Sequence, residues 1–176
     1  KPKRHALPPV KQSPWPRNPI DHFVLAKLES TDLKPSREAD RITLLRRAYL
    51  DLIGLPPDPK AVKAFLADKR QDAYTRAVDK LLTSRHYGER WGRHWLDLVR
   101  YAESNSYERD GTKPHVWRYR DYVIRSFNSD KPYDRFMMEQ VAGDVLKPVM
   151  SDGIIATSML GRSGSNLIDA SETSSA

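Results

Sequence analysis

Residues 86–102 read HYGERWGRHWLDLVRYA, and this stretch decides the fold. Its large residues recur at intervals of three and four, which is the period of an α-helix, and place Trp91, Trp95 and Leu98 on one face. A neighbouring face carries five polar residues at the same spacing, here called the ionic ridge: His86, Arg90, His94, Asp97 and Tyr101. Buried polar groups need partners. We therefore expect the ionic ridge to turn inward and meet charged side chains of later helices.

The same helical period continues on both sides of this stretch. Asn18-Pro19 and Asp58-Pro59 each place an N-cap residue before a proline, and Gly54 is a natural helix stop. Predicted helices begin near residues 18, 36, 58, 72, 86, 112 and 131, with a weaker eighth over 152–160. Strand pairs and repeats are not evident in the sequence. The pattern predicts an all-α fold, an irregular multi-helix bundle of about seven helices.

Three regions follow from this pattern. Residues 1–17 hold five prolines and are predicted to form an extended arm that Trp15 attaches to the body. Residues 18–160 are predicted to form the helical domain. Residues 161–176 are rich in serine and have little to bury, so we expect a flexible or extended tail that leads into a C-terminal part absent from this chain.

Charge and composition limit the functions that fit. The chain has 30 basic and 23 acidic residues, a net charge of +7, which favours an anionic partner such as an acidic polysaccharide. The basic residues are spread along the chain and interleaved with acids, without a basic stripe, so nucleic-acid binding is not expected. There is no cysteine, which excludes disulfides and thiolate metal sites. No apolar run approaches the length of a membrane span, and HExxH is absent, so no metal site is predicted.

Two interpretations of the polar residues stay open at this stage. In the first they form a structural network, with partners from later helices: Arg118, Arg120, Asp121, Asp134 and Asp144. In the second they line a pocket with five candidate catalytic residues: His94, Asp97, Glu108, Asp110 and Arg118. Two carboxylates in the loop 103–113 would suit acid/base chemistry on a glycan, although many loops carry such a pair.

Four strings are distinctive: NPIDHFVLAKLE (18–29), ITLLRRAYLDLIGLPPDP (42–59), HYGERWGRHWLDLVRYAESNSYERD (86–110) and VWRYRDYVIRSFNSDKPYDRFMMEQVAGD (116–144). They resemble a domain family of planctomycete bacteria, which is exported, is associated with c-type cytochrome sequences and has no known function. Their order matches as well as their content, over roughly residues 18–160. The resemblance implies a periplasmic or otherwise exported protein that works beside c-type haem.

The resemblance also implies how haem would be held. Family members commonly carry CxxCH downstream of the segment that resembles Gly143-Asp144, but this chain has no cysteine. We therefore expect any haem to belong to a segment absent from this chain, with an axial ligand from His86, His94 or His115. The partner would be the C-terminal part of the same protein or a second chain.

Three functions are compatible with these observations, and whether the chain is an enzyme is left open. The first is a helical module of an exported cytochrome c-associated protein that supports electron transfer or an oxidative enzyme. The second is an enzyme acting on acidic or sulfated polysaccharide. The third is a non-catalytic interaction scaffold, in which the polar residues pair only with one another.

Overall fold

A computed structural model of the chain describes residues 3, 5–104 and 111–157. They fall into two compact units, which divide between Asp40 and Arg41. The first unit holds the proline-rich arm and one helix, α1 (Pro19–Ser30). The backbone N–H groups of Lys11 and Gln12 donate to the carboxylate of Glu29 at 2.9–3.1 Å, which attaches the arm to α1.

A capping box begins α1, as the Asn18-Pro19 pair predicts. The Asn18 side chain accepts from the N–H groups of Ile20 and Asp21, and Asp21 accepts from the N–H of Asn18 in return. The helix ends at Ser30, also as predicted. Both ends are confirmed because they depend on residues adjacent in sequence.

Replacing Asn18 with alanine is expected to destabilise the first unit by about 1 kcal/mol, since two N–H groups lose their acceptor. Amide hydrogen exchange would measure this loss of stability, and we expect faster exchange only in residues 19–30 of α1. Asn18→Asp, which keeps the acceptor, should leave the exchange rates close to those of the parent chain. Equal rates in the alanine and aspartate variants would contradict the role of the cap.

The apolar face predicted for α1 is largely exposed. Leu25 is fully buried, but Ile20, Phe23 and Val24 are exposed at 72%, 46% and 45%. Among its described residues the first unit contains no second helix, so it has nothing broad enough to cover that face. The helical period thus identified the apolar side chains of α1 but not which of them are buried.

The second unit contains seven helices in its described part. They are α2 (Arg41–Ile53), α3 (Pro59–Ala67), α4 (Ala73–Leu82), α5 (Arg85–Leu98), α6 (Trp117–Asn128), α7 (Tyr133–Ala142) and α8 (Ser151–Thr157). With α1 this makes eight helices and no strand in residues 3, 5–104 and 111–157, apart from one isolated bridge between Ser104 and Thr112. The predicted all-α class is confirmed.

Two apolar clusters hold this unit together. Leu45, Phe65 and Ala73 are buried between α2, α3 and α4. A larger cluster joins α5 to α8 and contains five buried residues: Tyr119, Tyr122, Val123, Phe136 and Ala156. Trp95 packs against the larger cluster, with its ring centroid 4.9 Å from that of Phe136. This cluster positions the polar groups of the candidate site.

Some boundaries and burial predictions differ from the structure. The predicted α5 reaches Ala102, but the helix ends at Leu98, because Arg100 adopts a left-handed φ of 52° and the N–H of Tyr101 turns back to Leu96. Val141 of α7, predicted to face inward, is 65% exposed. By contrast, Gly54 has the positive φ of 71° that suits a helix stop, and Asp58 caps α3, both as predicted.

Candidate functional site

The face of α5 that packs inward is marked by two glycines four residues apart. A side chain at Gly88 would collide with the carbonyl oxygen of Ile124, and Gly92 lies against Val123 and Ile124. The amide of Asn128 fixes this contact by accepting from the N–H of Gly88 at 2.7 Å and donating to the carbonyl of Arg85 at 3.0 Å. α5 and α6 therefore approach closely along the glycine side of α5.

This contact determines where the ionic ridge lies. A residue two positions after Gly92 is rotated by about 200° around a helix of 3.6 residues per turn, so His94 points away from α6. His94 and Asp97 are both exposed. The expectation that the ridge turns inward is wrong for these two residues, since the glycines rather than the polar residues form the buried side. His86, Arg90 and Tyr101 are half-buried.

His86 is held by a carboxylate of its own helix. Its Nδ1 lies 2.6 Å from Oε2 of Glu89, one turn along α5, and Ser84 caps the helix just before it. At that distance from a carboxylate Nδ1 carries the proton, so the neutral ring has its lone pair on Nε2. The histidine side chain is 34% exposed, which leaves it accessible from solvent.

The other candidate residues are spread over three segments. The His94 ring contacts Trp91 edge-on, with centroids 5.2 Å apart. Arg118 lies on α6 with its guanidinium carbon 5.6 Å from the centre of the Trp117 ring, and His115 is half-buried in the turn before α6. Glu108 and Asp110 fall outside the described residues, so the predicted acid/base pair stays a prediction.

Arg120 makes the ion pair that joins the segment after α5 to α6. Its guanidinium donates to Glu103 at 2.9 Å and to the adjacent Asp121 at 3.1 Å. Tyr101 donates to the same Glu103 carboxylate at 3.1 Å, and burial together with this bond raises the pKa of Tyr101 to about 12. Of the partners predicted for the ionic ridge, Arg120 and Asp121 pair with each other, and Arg120 shares the acceptor Glu103 with Tyr101 of the ridge. Asp134 and Asp144 are exposed.

Among the described residues the most enclosed carboxylate is that of Glu139 on α7, which no sequence pattern singles out. Its side chain is 6% exposed and accepts from Lys131 at 2.5 Å, Arg135 at 2.8 Å and Tyr122 at 2.8 Å. We call these four residues the Glu139 cluster. Burial alone would raise the pKa of Glu139, but the three donors outweigh it and hold the pKa below its ordinary value.

Hydrogen bonds extend the polar contacts to the neighbouring helices. Trp95 donates to the hydroxyl of Tyr119 at 2.8 Å, and that hydroxyl donates to Gln140 at 2.7 Å, which connects α5, α6 and α7. Asp152 of α8 accepts from Arg125 of α6 at 2.8 Å and lies 3.9 Å from Lys131. The sequence indicates only part of this network, because tyrosines occur among the apolar residues that the helical period places inward.

These contacts mainly stabilise the fold. With three donors on its two oxygens and little exposure, Glu139 is a poor proton acceptor for a substrate. Within residues 3, 5–104 and 111–157 no three histidine or acidic side chains group as metal ligands. None of the described helices is both long and apolar enough to cross a membrane. His86, whose Nδ1 is held by Glu89 and whose side chain is 34% exposed, offers an oriented and accessible lone pair.

Residues 19–175 match the protein family described as "PSCyt2: Protein of unknown function (DUF1549)". The chain belongs to this family. The PSCyt2 match confirms the resemblance of the four sequence strings at the level of a domain family of unknown function. Neither the curated proteins nor the solved structures contain a match to the chain. For this PSCyt2 domain, the planctomycete origin, export and haem context stay predictions.

Proposed function

We propose that this PSCyt2 domain is a helical module of an exported cytochrome c-associated protein, and that it supports electron transfer or an oxidative enzyme. Two observations support the association: the resemblance of four ordered strings to a cytochrome-linked family, and the syllable Cyt in the name of the matching family. Because the chain has no cysteine, the haem is attached to a C-terminal part or to a second chain.

The observation that carries the proposal is the geometry of His86. Histidines that ligate metals usually donate Nδ1–H to a carboxylate or carbonyl, which orients the ring and leaves Nε2 to bind. Glu89 supplies such an acceptor at 2.6 Å, and half-burial of His86 limits its movement. His86 is therefore the axial ligand that this domain offers to the iron of a partner's haem.

His94 is less suited to this role. It is exposed, and the contact described for its ring is the edge-on packing against Trp91, which does not select one ring nitrogen. Glu89 makes that selection for His86. His115, half-buried in the turn before α6, remains the second candidate ligand.

A haem c peptide with one histidine ligand and an open sixth position tests this role. When the peptide is added to the full chain and His86 binds, its haem iron should change from high-spin to low-spin, which is measured as a shift of the Soret band. His86→Gln should weaken this binding at least tenfold. Glu89→Gln should weaken it by about tenfold, since loss of a second-shell acceptor typically costs 10–100-fold in metal affinity.

His94→Gln is the matched control, because it removes an exposed histidine from the same helix and should leave the peptide affinity unchanged. If His86→Gln and His94→Gln weakened peptide binding equally, His86 would not be the ligand. The cytochrome association has its own test in the absorption spectrum of the native, full-length protein or its purified complex. A spectrum without a Soret band would overturn the association.

A further inference from the structure

A groove of about 530 Å³ runs between α2, α3 and α4, and none of the candidate site residues lines it. The core residues Leu45 and Phe65, which are 2% and 7% exposed, form its base. Four alanines line it, Ala61, Ala64, Ala73 and Ala77, and their methyl groups leave the space that longer side chains would fill. The volume lies within the roughly 300–1,000 Å³ typical of small-molecule sites.

The rim of this groove has an excess of positive charge. Asp68 and Arg70 neutralise each other through two hydrogen bonds of 2.8 and 2.6 Å. Arg76 and Lys80 stand one turn apart on α4, both exposed, and neither forms an ion pair with a described residue. Asp79 is the one further acid among the lining residues, so the rim presents more cation than anion.

One tyrosine, Tyr49 of α2, is also among the residues that line the groove. It is half-buried and makes no hydrogen bond within the described part of the chain. Burial and the nearby charge of Asp58 raise the pKa of Tyr49, so its hydroxyl keeps its proton and remains a donor at neutral pH. Donors at the rim and on the wall, above an apolar floor, favour an apolar molecule that carries acceptor atoms.

We propose that the groove between α2, α3 and α4 binds a small amphiphilic carboxylate. The apolar body lies against the methyl groups of Ala61, Ala64 and Ala77, and the carboxylate meets Arg76 and Lys80 at the rim. This site is separate from His86 and independent of the proposed cytochrome association, so either proposal can fail while the other stands.

Calorimetric titration of the full chain with octanoate, below its micelle-forming concentration, tests the proposal. We expect one octanoate per chain. Octan-1-ol, which has the same chain length without the charge, should bind about tenfold more weakly, as loss of charge-assisted hydrogen bonds implies. The double variant Arg76→Gln/Lys80→Gln should lose about the same factor for octanoate. Ala64→Leu, which places a larger side chain in the groove, should abolish binding.

Matched controls separate the groove from general charge and hydrophobicity. Arg46→Gln/Lys63→Gln removes two exposed cations from α2 and α3 outside the groove, and should leave octanoate affinity unchanged. Ala67→Leu adds the same side chain to an exposed position of α3 outside the groove, and is the control for Ala64→Leu. Absence of octanoate binding to the parent chain, equal affinity for octan-1-ol, or equal losses in the groove and control variants would each overturn the proposal.

Discussion

The Glu139→Gln variant is expected to lose about 3 kcal/mol of unfolding free energy, because removal of one partner from a buried ion pair leaves the other charge uncompensated. Lys131 is 17% exposed in its side chain and has its 2.5 Å contact with Glu139. Arg135 and the Tyr122 hydroxyl lose the same anion. Urea denaturation followed by circular dichroism measures the change.

The same substitution at Glu103 is the control. Glu103 pairs with Arg120 at a similar distance, 2.9 Å, but its side chain is 62% exposed, and exposed pairs contribute only about 0–1 kcal/mol. Glu103→Gln should therefore change the unfolding free energy little. If both variants were destabilised equally, burial of the Glu139 cluster would not be the reason for the loss.

Acid should weaken the parent chain through the same residue. The pKa of Glu139 is lowered in the folded chain, while the pKa of an unfolded glutamate is about 4.3. Its contribution is thus present above that pH and is lost as the pH falls through the lower, folded pKa. In Glu139→Gln this part of the acid destabilisation should disappear, which a series of urea denaturations at decreasing pH would show.

The second large effect is expected at the crossing of α7 and α8. A methyl group added to Gly143 would collide with the backbone carbonyl of Gly153 and lie 2.5 Å from that of Glu139. Backbone atoms cannot rotate aside, so Gly143→Ala must push α8 away from α7. Overpacking of this kind costs about 3 kcal/mol. Thermal unfolding followed by circular dichroism, together with faster amide exchange in residues 151–157, would show it.

Gly92→Ala provides the comparison, because its added methyl group would lie 3.4–3.9 Å from Val123 and Ile124, at ordinary contact distance. Alanine also favours a helix over glycine by up to about 1 kcal/mol. Gly92→Ala should therefore leave the stability unchanged or raise it. A Gly92→Ala variant as unstable as Gly143→Ala would show that the cost comes from any loss of glycine and not from the α7–α8 crossing.

The sequence predicted what depends on neighbours along the chain. The caps at Asn18 and Asp58 and the stop at Gly54 need only residues within one turn, and all three are confirmed. Helical periodicity also selected the α5 segment correctly. It did not select the buried side of α5, because an aromatic face and an ionic face both repeat at the helical period. The spacing of Gly88 and Gly92 was the signal that would have decided between them.

Glu139 shows why part of the candidate site was not predicted. On its own helix it looks like a surface glutamate with Arg135 one turn before it. Its burial depends on Tyr122, seventeen residues earlier, and on the packing of α8. The helical period cannot predict contacts between residues so far apart in sequence. His86, in contrast, was named from sequence, and its partner Glu89 lies within the same turn.

The bridge between Ser104 and Thr112 has a consequence for chain length. Together with the bond from the N–H of Lys113 to the carbonyl of Glu103 at 2.9 Å, it joins the two ends of the segment between α5 and α6. The entropic cost of closing a loop rises only logarithmically, by about 0.6 kcal/mol for each doubling of its length. A longer segment between Ser104 and Thr112 should therefore cost little additional closure entropy, because the bridge fixes where its two ends lie.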